Sequence, residues 1–88
     1  MIHVRQVPCS SVVFVELSGA LDRAAIAEIV FIARHQPATY AVIIDVAHAA
    51  ETDGGVLDLL TAALPKRAMV VRSAAHLDGV LAAAAKGA

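Results

Sequence analysis

The sequence predicts a small α/β domain spanning residues 1–88, in which helices pack on a mostly parallel, four-stranded sheet in the order β-β-α-β-α-β-α. Three observations predict it. The runs VVFVEL at 12–17 and YAVIIDV at 40–46 are nearly continuous and β-branched, as strands of a layered fold are when buried on both faces. The stretches between and after them carry apolar residues at the 3.6-residue helical period. The composition is 59% hydrophobic but only 3% aromatic, so the core has to be packed from Val, Ile, Leu and Ala. Eighty-eight residues suffice for one such core and leave too little for a second.

Residues 2–7 (IHVRQV) alternate apolar and polar, the period of a half-exposed edge strand, and Pro8, Ser10 and Ser11 break the pattern. The interior strand at 12–17 follows closely enough to pair with the first as a hairpin, and Ser18-Gly19 is expected to end it. Asp22 stands where an N-cap belongs, its carboxylate placed to accept from the free backbone N–H groups of a helix over about Arg23 to His35. Pro37 forbids its continuation. The run at 40–46 then reads as a central parallel strand reached by a crossover, with a loop from His48 to Gly55 after it. A second helix fits 55–64, gathering Val56, Leu57, Leu60, Ala63 and Leu64 on one face before Pro65 stops it. Residues 68–72 (AMVVR) read as the fourth strand, and Leu77, Val80, Leu81 and Ala84 mark a final helix ending near Gly87.

Charge and punctuation exclude several function classes. With 7 basic and 8 acidic side chains, the formal net charge of -1 creates no field that would gather nucleic acid or anionic lipid. No run approaches the roughly 18 to 20 uninterrupted apolar residues of a membrane span. Asp45 interrupts the most apolar strand and Glu28 the most apolar helix. Cys9 has no second cysteine to pair with, and the first residues lack a secretory leader's basic start and apolar run, so a cytoplasmic location is expected. The mean hydropathy of +0.73 is high for so small a domain, which predicts that a partner covers some apolar surface.

Catalytic and metal signatures are lacking in the sequence. His3, His35, His48 and His76 form neither a metal-binding helix pair nor part of a cysteine set. Cys9 has no neighbouring base, and no nucleophile elbow, Walker loop or GxGxxG pattern occurs. The expectation is a non-enzymatic chain without cofactor or metal. Lys66 and Arg67, just after the second helix, read as charges that favour its negative end.

Two segments carry more than periodicity: LSGALD at Leu17 to Asp22, closing a strand, and VIIDVAHAAETDGG at Val42 to Gly55, joining a strand to a helix. Together they resemble the STAS family, which includes the bacterial anti-sigma factor antagonists. There a strand ending in Leu-x-Gly-x-Leu-Asp precedes a helix, then a strand ending in Asp, then a loop reading Asp-Ser-Ser-Gly. The resemblance extends over most of the chain, including MVVRSAAHLDGVL, and implies the same topology. Gly19 and Asp22 match the first motif, Asp45 the Asp ending the central strand, and Asp53 the loop Asp. Gly54 and Gly55 depart from it. In phosphorylated members the second of these positions carries the Ser or Thr that a partner kinase modifies, so Gly55 lacks the hydroxyl of that switch. Thr52 is the nearest hydroxyl and precedes the Asp. Both helices also look one to two turns shorter than the family's.

What the resemblance implies is a protein-interaction module of the anti-sigma factor antagonist type, working through the Glu51 to Gly55 loop without phosphorylation at the usual place. Its partner would be an anti-sigma factor or kinase-like protein. Alternatives are an accessory subunit of a lipid-transport ATPase and a small-ligand or nucleotide binder using the amides at the start of the second helix. Asp53 reads equally as a partner-facing carboxylate and as that helix's N-cap. Asp22 and Asp45 likewise read as a cap and as an acceptor of loop amides at a strand end. Phe31 is the other candidate. On a helical projection it falls opposite the inward residues Ile26, Ile29, Val30, Ile32 and Ala33, among Glu28, Arg34 and His35 and flanked by Ala24 and Ala27. There it reads as an anchor for a partner helix, a homodimer contact, or a stray exposed apolar residue.

Overall fold

A computed structural model describes residues 1–51, 55–72 and 79. Its elements are β1 (Ile2–Gln6), β2 (Val12–Leu21), α1 (Arg23–Arg34), β3 (Ala41–Glu51), α2 (Val56–Ala63) and β4 (Ala68–Val71), the first six of the seven expected and in the expected sequence. The expected final helix, apart from Gly79, lies outside the described residues. The strands form a mixed four-stranded sheet in the spatial order β1-β2-β3-β4. β1 is antiparallel to β2, whereas β2, β3 and β4 are mutually parallel.

The hairpin joining β1 and β2 closes on its own side chains. The Val7 amide donates to the Val12 carbonyl at 2.9 Å, and the Ser10 hydroxyl donates to the Val7 carbonyl at 2.7 Å while accepting from the Val12 amide. Both runs read as doubly buried strands are so: Val12 to Val15 and Val42 to Val46 are buried without a break. One face of the sheet, carrying Val13, Val15, Leu17, Val42, Ile44 and Val46, packs against Ile26, Ile29 and Ala33 of α1 and Val56 and Leu60 of α2. The opposite face gathers Val12, Phe14, Ile43 and Val71. The two helices share a face because successive parallel crossovers advance in one direction across the sheet, and each turns with the same hand.

The structure corrects the strand ends. Ser18-Gly19 does not stop β2, which runs on to Leu21, and β3 continues through His48 to Glu51, so most of the expected loop is strand. The two extensions pair with each other, Ser18 to His48 and Leu21 to Glu51, so each supplies the backbone partners the other's weakly β-forming residues need. Between Glu16–Asp45 and Ser18–His48 the register shifts, with β3 one residue longer than β2. Asp45 is therefore an interior residue of β3 rather than its end. It is 3% exposed, and its carboxylate accepts the Ala47 amide at 2.8 Å within the bulge. Gly19 takes a φ of 95°, in the left-handed region that glycine alone enters freely. Among the described residues no helix is long and apolar enough to cross a membrane.

Candidate functional site

Asp22, singled out by the resemblance, follows directly on β2 at the edge of the sheet where the ends of β2 and β3 pair, Leu21 opposite Glu51. Asp22 is the N-cap of α1, as its position predicts: its Oδ1 accepts the Ala25 amide at 2.8 Å. Gly55 sits at the start of α2 with a φ of 80° and is exposed, and among the described residues, its chain neighbours aside, no atom lies within 4 Å of where a β-carbon would stand. It is itself the N-cap residue and, as a glycine, offers no side-chain acceptor there; Asp53, the expected cap, lies outside the described residues. Asp58 in the first turn complements the positive helix end. Thr52, Asp53 and Gly54 lie outside the described residues.

Phe31 stands apart from that edge, in the last turn of α1. It is 62% exposed, and its ring stacks on His35 one turn later, with centroids 4.0 Å apart. The His35 Nδ1 lies 2.7 Å from the Phe31 carbonyl, and because a carbonyl only accepts, this nitrogen carries the proton. One face of the aromatic is thus held against His35 while the rest of the ring stays in water. It lines a groove of about 580 Å³ that runs along α1 from Arg23 to His35 and is bounded on the other side by Leu59 and Ala63 of α2. Leu59 is 51% exposed, so two of the largest apolar side chains left in solvent share one concavity.

The helix ends are held by arginines from opposite elements. Arg67 donates to the carbonyls of Ala33, Gln36 and Pro37 at 3.2, 2.7 and 3.0 Å. It therefore neutralises the negative end of α1, not of α2 as its place in the sequence suggests. Arg34, the last residue of α1, donates to the Ala63 carbonyl at the end of α2 at 3.1 Å. The side-by-side helices make this exchange possible, since it brings the turn after α2 against the end of α1, and the end of α1 against the end of α2.

A smaller concavity of about 310 Å³ lies on the face away from α1 and α2, among His3, Arg5, Phe14 and Glu16. Its cation is already engaged, the Arg5 guanidinium lying 4.9 Å from the Phe14 ring centroid. Among the described residues no group of three or more His, Cys, Asp or Glu side chains is placed to hold a metal ion. Cys9 is exposed, at the tip of the hairpin with a φ of 58°.

Sequence reasoning found Phe31 but missed Leu59. The signal was present: on the α2 projection Leu59 falls about a quarter-turn from the Val56–Leu60–Ala63 seam, and no core residue requires a leucine there. The arginine exchange had no local signal, because it depends on which helices become neighbours. The chain matches no protein-family model, and no curated protein matches it.

Proposed function

We propose that this chain is a STAS-like protein-interaction module of the anti-sigma factor antagonist type, which binds its partner without phosphorylation at Gly55. The observation that carries a protein-binding reading is the open apolar groove holding Phe31 and Leu59. A small ligand needs enclosure on most sides, whereas a partner protein is served by an exposed aromatic anchor beside a second apolar wall. The resemblance of residues 17–22 and 42–55 supplies the choice of partner, an anti-sigma factor or kinase-like protein, and adds the region from Glu51 to Gly55 as a second contact. Gly55 supports that use, because an exposed residue without a side chain lets a partner's backbone approach closely.

Capture from a native cell extract on the immobilised chain, followed by chemical cross-linking and mass spectrometry, tests the reading. A single protein retained by the parent chain and released by Asp53→Ala or Phe31→Ala is the expected result. With ATP present the chain should remain unphosphorylated and the complex intact. Phosphate on Thr52 with loss of the complex would replace constitutive binding by a switch, and an ATPase subunit of a lipid transporter as the retained protein would shift the reading to the accessory-subunit role.

A further inference from the structure

We propose that the groove between α1 and α2 takes an acidic amphipathic helix of the partner protein, about three turns long. The inference rests on the protein-binding reading above and specifies its partner chemistry.

The walls decide the secondary structure of the occupant. Both are helices whose backbone N–H and C=O groups are internally bonded, so the groove offers no free strand edge, and an entering segment has to satisfy its own backbone. A helix does so. The floor and walls are apolar side chains, Ala27 and Val30 with Phe31 and Leu59, which match one apolar stripe. The groove follows α1, which has 12 residues and is therefore about 18 Å long, enough for roughly three turns laid alongside it.

Charge decides the rest. The whole chain carries more acidic than basic side chains, yet among the described residues no Asp or Glu lines this groove, while Arg23 stands at one end and Arg34 and His35 at the other. Arg34 is held there by its bond to the Ala63 carbonyl. An apolar floor between two cationic ends complements a helix with acidic residues flanking its apolar stripe. A second copy of this chain fits poorly, because a two-fold contact through this face sets Arg23 and Arg34 of one copy against the like charges of the other.

The test is selection from a displayed library of helix-forming peptides of about 14 residues, enriched on the parent chain and depleted on Phe31→Ala. The expected winners have apolar residues at i, i+3 or i+4 and i+7 with Asp or Glu beside them. A synthetic winner, followed by fluorescence anisotropy, should bind about tenfold more weakly to Phe31→Ala. It should also weaken several-fold with Arg23→Glu, and as salt rises from about 0.05 to 0.3 M. Arg23→Glu keeps the fold intact, since an acidic residue in the first turn suits the helix dipole. Amide-shift changes should cluster on Ala27, Phe31 and Leu59. Winners that are basic or uncharged, no enrichment at all, shifts elsewhere, or concentration-dependent self-association that Phe31→Ala abolishes would each overturn the inference. If the native partner is captured but cross-links only near Gly55 and is indifferent to Phe31→Ala, this inference fails while the interaction-module reading stands. Failure of both capture and selection removes the two together.

Discussion

Gly55 shows how one residue sets the terms for a site. The resemblance makes its missing hydroxyl a lost switch, and the φ of 80° supplies a physical reason for the glycine: a side chain here would have room but would sit on a strained backbone. Restoring the hydroxyl by Gly55→Ser should therefore lower stability by about 1 to 2 kcal/mol, the cost of holding a residue other than glycine in the left-handed region. Urea unfolding followed by circular dichroism measures this. A neutral or stabilising result would show that α2 starts with a different backbone geometry in solution. Asp45 is a second case. Its carboxylate accepts the Ala47 amide at the bulge, so this buried side chain has a structural duty.

At the scale of elements, the arginine exchange ties the two helices more specifically than their apolar seam does. Arg67 makes three charged hydrogen bonds from a partly buried position, whereas Arg34 makes one from an exposed position. Arg67→Met, which keeps most of the stem, should cost about 1 to 2 kcal/mol and Arg34→Met less than 1. Amide hydrogen exchange should show the loss at the C-terminal turn of α1, near His35 and Gln36. Equal costs for the two variants would mean that the carbonyls find water without penalty. These same elements mark what could be read in advance. Strand cores at 12–17 and 40–46, the Asp22 cap and the Pro37 and Pro65 stops were legible because each is a local pattern with a local cause. The extensions of β2 to Leu21 and β3 to Glu51 were not, because Ser18-Gly19 and the alanines around His48 have little strand preference alone and become strand by pairing with each other. Of the candidate site, Phe31 was legible from its helical phase, while the groove required knowing that α2 lies beside α1.

That adjacency belongs to the whole molecule. Because β2, β3 and β4 follow in spatial order, their two crossovers of the same hand deposit both helices on one face, and a valley between neighbouring helices is the outcome. The inner side of the valley is core and the outer side is the groove, so stability and binding reside on opposite flanks of the same two helices. Leu60 is fully buried where α2 meets the sheet, and Leu59, its neighbour in sequence, is half exposed in the groove. Leu60→Ala should cost about 2 to 5 kcal/mol, a large share of the roughly 5 to 15 kcal/mol typical of a small domain. Phe31→Ala removes an exposed ring and one i, i+4 stack, and should change stability by no more than about 0.5 kcal/mol. Chemical denaturation of the two variants, read beside their partner affinity, separates the flanks: Leu60→Ala is expected to weaken binding only as far as it unfolds the chain, and Phe31→Ala to weaken binding with the fold intact. A Phe31→Ala variant that unfolds as readily as Leu60→Ala would place the ring in the core and close the groove as a docking surface.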